Sequence, residues 1–397
     1  MNDYYSRYAA GETARLARES LSRETPDIDH GADRQLLFQG RPLLNLASNN
    51  YLGLAGRPEL TLAAVAATRE YGTGSGASRL VTGTSRVHDA LDAALARFKG
   101  TPAALALGSG YAANLAALTA FADRHTLVFA DKLSHASLID GALLSGARLI
   151  RFRHNDMAHL GELLAAHAAH ERKILVTESV FSMDGDIPDL RAFVGLGRDH
   201  GALVMLDEAH AAGVFGAGRG LAHELGIDAA VDIQMGTLSK AFGSCGGYLC
   251  AGREYISLVK NRGRAFIYST AAPAGVAAAG LAALQLVEKT AVPDGGPGAR
   301  LLALAAEARE HLASLGFDTG RSASQIVPVM LGSGAAALAA RDFLIERGVY
   351  AAAIRPPTVP AGTARLRLSL RADLTDADMA LFRSAFAALA RSGAGRR

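Results

Sequence analysis

The sequence predicts an α/β protein: a large domain built on a mostly parallel sheet, followed by a smaller α+β domain. Three observations carry that expectation. Between about residues 100 and 250, short β-type runs alternate with helical stretches, the pattern of strands joined by helical crossovers. Residues Ala291–Gly298 read Ala-Val-Pro-Asp-Gly-Gly-Pro-Gly, the clearest linker in the chain. Beyond it a second, shorter alternation begins. The 397 residues exceed the usual single domain. The expected divisions are an N-terminal segment 1–49 packing with the small domain, a large domain 50–288 and a small C-terminal domain 289–397.

Taken in order, the strands expected in the large domain are Ala103–Leu107, Leu127–Ala130, Arg148–Phe152, Ile174–Thr177, Leu203–Leu206, Ile233–Gly236 and Gly247–Ala251. Helical stretches such as Ala112–Phe121 and His159–His170 lie between them. Ala265–Val287 carries no charge and is long enough to span a bilayer. It is mostly Ala and Gly, however, and holds Pro273 and Gln285, so it reads as a strand end followed by a buried Ala-rich helix. After the linker come helix Arg300–Leu315, strand Gln325–Leu331, helix Ala335–Arg347, strands near Tyr350–Ile354 and at Arg365–Leu370, and a closing helix Asp376–Arg391. In that last strand a period of two puts Arg365 and Arg367 on one face and three leucines on the other.

Composition narrows the function. Half the residues are hydrophobic and the formal net charge is only +3, with basic residues dispersed, so neither nucleic acid nor membrane binding gains support. The two cysteines, Cys245 and Cys250, form no CxxC pair and no disulfide framework, and no His cluster suggests a metal. The N-terminus mixes acids with arginines and lacks an apolar core region. A cytoplasmic location is expected.

The strongest local signal is Leu203–His210, LVMLDEAH. A hydrophobic strand there delivers an acid, Asp207, at its carboxyl end, where open α/β sheets place ligands. The same four letters DEAH occur in helicases, but that chemistry needs a phosphate loop with a Gly-Lys pair, and the chain contains none. Further on, Gly236–Ser244 (GTLSKAFGS) sets Lys240 among small and hydroxylated residues at a strand end. A pyridoxal 5′-phosphate (PLP) site needs a Schiff-base lysine, an acid for the pyridinium nitrogen and a helix N-terminus for the phosphate. The third part is visible where Ala103–Leu107 runs through Gly108-Ser109-Gly110-Tyr111 into a helix. Gly72–Ser78 is richer in glycine but follows no obvious strand, and is expected to be a flexible active-site loop. His135, in the loop Asp131–Ser137, is the candidate to cover the cofactor ring. His154, His159, His167 and His170 are expected to face solvent.

Five runs together resemble the α-oxoamine synthase family of PLP enzymes: Asp131–Gly141 (DKLSHASLIDG), Thr177–Asp186 (TESVFSMDGD), Leu206–Gly220 (LDEAHAAGVFGAGRG), Thr237–Gly243 (TLSKAFG) and Ile354–Leu370 (IRPPTVPAGTARLRLSL). The resemblance spans about Leu36 to Leu370 and implies PLP-dependent transferase fold type I, the aspartate-aminotransferase-like fold. It implies Lys240 as the Schiff-base lysine and Asp207 as the pyridinium partner. His210 and Ser182 would lie at the ring 3-oxygen, Thr237, Gly110 and Tyr111 at the phosphate, and His135 on the ring face. Asn49 and Arg367 would hold the amino-acid carboxylate, with Thr358, Arg23 and His135 on substrate. Arg34 is a rival to Arg23.

The last run resembles the branch of the family that forms 8-amino-7-oxononanoate for biotin synthesis from L-alanine and a pimeloyl thioester of coenzyme A or a carrier protein. Family members are homodimers with active sites at the subunit interface, to which Ser269-Thr270 are candidates to contribute. A pimeloyl chain ends in a carboxylate, for which Arg355 and Arg23 are the candidate readers. The alternatives are another α-oxoamine synthase using glycine or serine, transamination on the same fold, and a non-catalytic partner subunit, which should lack the lysine.

Overall fold

The computed structural model describes residues 3–19, 21–290, 292 and 296–393. Ala291 and residues 293–295 of the expected linker fall outside them. The chain forms two units: Met1–Ser48 with Met183–Gly185 and Leu304–Arg397, and Asn49–Ser182 with Asp186–Ala303.

The second, larger unit is built on one seven-stranded sheet. Its strands stand in the order Ala103–Leu107, Gly247–Ala251, Ile233–Thr237, Leu203–Asp207, Lys173–Glu178, Leu127–Asp131, Arg148–Phe152. The last five are parallel to one another, whereas Gly247–Ala251 runs antiparallel to both its neighbours. Helices pack on the sheet, so central strands read as continuous apolar runs rather than alternating ones: Val128, Phe129, Leu175, Val176 and Leu249 are all fully buried. Cys250 is buried in this core. The carboxyl ends of four adjacent parallel strands are Asp131, Glu178, Asp207 and Thr237, so the sheet gathers polar side chains along one edge of its core.

The uncharged stretch 265–287 differs from expectation at its start. A single helical turn, Arg264–Ile267, replaces the strand end, and Thr270 makes only an isolated bridge to Ser78. Pro273 then offers its carbonyl to Val276 N and opens helix Ala274–Thr290, a position where the missing N–H costs nothing. This helix packs on Pro58–Tyr71 at Gly275, where a Cβ would overlap Thr68 Oγ1. Small residues there serve close packing, and among the described residues no helix is long and apolar enough to cross a membrane.

The other unit holds two small sheets. Ile28–His30, Gln35–Phe38, Arg41–Asn45 and Val349–Tyr350 form one; Ile326–Gly332, Ala364–Ser369 and Ala352–Ile354 form the other. The region expected as one strand near Tyr350–Ile354 therefore divides at Ala351. The edge of Arg41–Asn45 takes Val349–Tyr350 in parallel, while Ala364–Ser369 takes Ala352–Ile354 antiparallel. Arg365 pairs with Asp184, and Arg367 donates to Ser369 Oγ at 2.8 Å. Helix Asp376–Ser392 begins with a capping box between Thr375 and Asp378.

Candidate active site

Strand Leu203–Asp207 ends on a buried carboxylate. Asp207 Oδ1 accepts from Ala209 N at 2.9 Å and Oδ2 from Asn114 Nδ2 at 2.8 Å. Both oxygens are thus fixed by neutral donors, which hold the carboxylate in place without neutralising it. Lys240 sits in the loop after strand Ile233–Thr237, and its Nζ donates to His210 Nε2 at 2.9 Å. His210 Nδ1 lies 2.7 Å from Tyr51 Oη, which donates to Asn49 Oδ1 at 3.1 Å. With Nδ1 protonated, every donor in this row meets an acceptor. Sequence reading found Asn49, His210 and Lys240 but missed Tyr51, the fully buried residue that connects them.

A second row leads from Asp207 to His135. Asn114 Nδ2 also donates to Ser137 Oγ at 2.9 Å, and that hydroxyl lies 2.7 Å from His135 Nδ1. His135 is the N-cap of helix Ala136–Leu144, and its backbone N–H donates to Glu178 Oε1 at 2.7 Å. The surrounding protein lowers the His135 imidazole below its ordinary value by stripping hydration; the Asp207 charge opposes this and Lys240 reinforces it.

The glycine turn does open a helix. Gly110–Phe121 starts behind N-cap Ser109, whose hydroxyl accepts from Ala112 N at 3.0 Å. The first N–H groups of a helix lack intrahelical partners and favour an anion. Gly110 and Tyr111 begin this helix, and the Tyr111 hydroxyl donates to Asp140. The turn lies so close to Gly247 that a Cβ there would overlap Ser109 O. Thr237 Oγ1 donates to Gly246 O at 2.7 Å and accepts from Ser239 N at 3.1 Å, closing the loop that carries Lys240. Gly72–Ser78 is pinned rather than loose: Ser75 Oγ donates to Ala272 O at 2.7 Å, and Ala77 O accepts from Ala271 N at 2.9 Å.

Two further buried groups were invisible in the sequence. Lys99, at the end of helix Arg86–Lys99, pairs with Glu208 at 2.5 Å, their side chains 1% and 0% exposed. Glu208 also accepts from Ala222 N at 2.9 Å. The acid beside Asp207 is therefore compensated internally, leaving Asp207 as the one that meets the site. Glu178, cross-strand neighbour of Asp207, is buried, which raises its carboxyl to about 8; the Asp207 and Asp131 charges add to this, while the His135 N–H and Lys240 oppose it. In the unfolded chain Glu178 titrates near 4.5. Between those values the folded protein keeps a proton that the unfolded chain has released, so stability falls as pH rises through that window. Glu178→Gln should flatten the dependence of melting temperature on pH between roughly 4.5 and 8 in the cofactor-free protein. An unaltered slope would show that Glu178 does not hold the proton.

The substrate candidates occupy the other unit, except Asn49 and His135. Arg23 Nη2 donates to Thr358 Oγ1 at 3.2 Å, and Arg355 Nη2 to Ser22 O at 3.0 Å. Partial burial lowers the Arg355 guanidinium below its ordinary value, as do the positive charges of Arg341 and Arg23. Arg23, Arg355 and Thr358 are thus brought together. Arg34 is instead committed to Asp378 at 2.6 Å and ties the N-terminal segment to the closing helix. Arg367 is buried beside Ser369, and Ser182 is half-buried, following Phe181.

An amine on a fixed imidazole, a buried carboxylate with both oxygens positioned, and a glycine-led helix start form a donor set that fits PLP. Residues 41–386 match the family model of class I and II aminotransferases. The chain is 48% identical over 390 residues to the 8-amino-7-oxononanoate synthase of Geobacter sulfurreducens, covering 98% of each. It is 47% identical over 385 residues to that of Anaeromyxobacter dehalogenans, covering 96% of this chain and 95% of the relative. Among solved structures, serine palmitoyltransferase of Sphingomonas wittichii superposes with a TM-score of 0.90 at 32% identity over 98% of both chains. The 8-amino-7-oxononanoate synthase of Francisella tularensis gives 0.75 at 27% identity, over 88% of this chain and 98% of that one.

Proposed function

The chain belongs to the class I and II aminotransferase family and, within it, to the 8-amino-7-oxononanoate synthases; from that premise we propose that it condenses L-alanine with a pimeloyl thioester, releasing CO₂ and the thiol. PLP is the cofactor in this reading, and the carrying observation is Lys240 on His210 together with the doubly fixed Asp207. When bound, PLP supplies a ring that takes up the electron pair left at Cα of the amino acid.

The protein's part follows from its own groups. Asp207 would meet the cofactor ring nitrogen, because Asn114 and Ala209 hold its two oxygens in place. The Lys240 amine removes the Cα proton, and His210, fixed by Tyr51, sets its direction. The N–H groups at Gly110 and Tyr111 would hold the phosphate, with the Thr237 hydroxyl beside them. His135 would cover one face of the ring, and Ser182 with His210 would hold its 3-oxygen. Asn49 and Arg367 take the alanine carboxylate, while Arg23, Thr358 and Arg355 serve the acyl chain. The family reading also proposes a homodimer with shared sites, working in the cytoplasm, with coenzyme A or an acyl carrier protein as thiol.

Incubating the purified protein with L-alanine and pimeloyl thioesters of each carrier should give 8-amino-7-oxononanoate by mass. Product only from glycine or serine would move it to another branch of α-oxoamine synthases. Acyl choice has its own test. Arg355→Ala or Arg23→Ala should raise KM for the free-acid pimeloyl thioester about ten- to a hundredfold, the size of one charge-assisted hydrogen bond. KM for alanine, and that for a truncated uncharged thioester, should barely move. Equal losses on both thioesters would leave acyl selection to channel shape.

A further inference from the structure

His154, expected from the sequence to face solvent, stands between two buried carboxylates. Its Nδ1 lies 2.9 Å from Asp131 Oδ1 and its Nε2 2.9 Å from Asp186 Oδ2. The next residue repeats the pattern. Asn155 N donates to Asp131 Oδ2 at 2.8 Å and Asn155 Nδ2 to Asp186 Oδ2 at 2.6 Å. Asn155 adopts a left-handed φ of 53° to do so, a conformation asparagine tolerates better than most residues. The Phe181 ring packs against the imidazole in a T-shaped contact, with ring centroids 4.5 Å apart at 86°. A solvated surface histidine needs none of this.

Each carboxylate governs a different loop. Asp131 ends strand Leu127–Asp131 and shapes the turn before His135: its Oδ1 accepts from Leu133 N at 2.7 Å, and its carbonyl from Ser134 N at 3.1 Å. Asp186 closes the loop that carries Ser182, its carbonyl accepting from Phe181 N at 3.1 Å. From this geometry we infer that His154, with Asn155, is a positioning residue that clamps the His135 loop to the Ser182 loop and so fixes the spacing of two cofactor contacts. The inference rests on the reading of His135 and Ser182 given above. Burial alone would lower the imidazole's affinity for its second proton; the hydrogen bonds to Asp131 and Asp186 outweigh that and push it up to about 10. The clamp is therefore an imidazolium between two anions, and removing it leaves two buried like charges facing each other.

That charge effect has to be separated from positioning. His154→Leu should be unstable because the aspartates are uncompensated, whereas His154→Leu with Asp186→Asn removes the repulsion between them, leaves Asp131 on the Leu133 and Asn155 N–H groups, and should regain most of the lost stability. In the double variant, hydrogen exchange at Leu133 and Phe181 amides should rise together by about tenfold, with Val204–Leu206 unchanged. The dissociation constant for PLP, read from visible absorbance on reconstitution, should rise about tenfold as well. A purely structural histidine predicts that restored stability restores cofactor affinity, and that result would overturn the proposal. So would exchange that stays at the wild-type rate in either loop. A wild-type protein that takes up no PLP would instead defeat the reading of the site, and the positioning role with it.

Discussion

Lys240→Ala is expected to bind PLP and yet turn over about a thousandfold or more below wild type, because the attachment point and the base are the same atom. The rest of the cradle does not depend on the lysine. The helix start at Gly110 is capped by Ser109, and Asp207 is held by Asn114 and Ala209. His210 loses one partner but keeps Tyr51 at 2.7 Å, so the fold should survive. The measurement is product formation by mass beside visible absorbance, which should shift to that of the unattached PLP aldehyde; borohydride should then leave the reduced cofactor free rather than linked to the protein. Turnover near wild type would remove Lys240 from the mechanism.

Asp207→Asn should slow α-proton exchange of L-alanine by about a hundred- to a thousandfold, the scale of losing one preorganised electrostatic partner. The surroundings make this an unusually clean substitution. Both Asp207 oxygens accept hydrogen bonds, so an asparagine would set one amide donor against another. Asn114 Oδ1 is buried without a partner among the described residues, and turning the Asn114 amide would offer that oxygen to the new donor. Fold and melting temperature should therefore change little while exchange collapses. Unchanged exchange would place the ring-nitrogen partner elsewhere.

The seven strands of the large sheet are legible because each is a short β-type run closed by a polar residue or turn, all but the edge strand Arg148–Phe152 largely buried, and the observed ends differ from expectation by no more than one residue. Lys240, Asp207 and the glycine turn are legible for a related reason: each sits at a strand end in a chemically odd setting. What stays hidden depends on partners far away in sequence. Tyr51 and Asn114 read as an ordinary aromatic and an ordinary helix residue until folding brings His210 and Asp207 to them. Lys99 looks like a solvated last-turn lysine, yet its side chain is buried on Glu208. His154 lies in a polar stretch whose neighbours give no hint of Asp131 and Asp186. Local pattern reports periodicity and turn chemistry; it does not report which buried charges will meet.

The antiparallel strand Gly247–Ala251 also sets an order of assembly during synthesis. Ala103–Leu107 lies at the edge of the sheet, and Gly247–Ala251 is its one strand partner there. The chain emerging from the ribosome therefore makes the strand leading to the turn at Gly108–Tyr111 early and must leave it unpaired until the later segment is translated. At ordinary elongation rates that wait is on the order of ten seconds. During it Leu127–Asp131 and the other parallel strands can pair without help from either strand, while the apolar strand Ala103–Leu107 waits for its partner. A nascent chain stopped before Gly247 would carry both Lys240 and Asp207 and still leave Ala103–Leu107 without its strand partner.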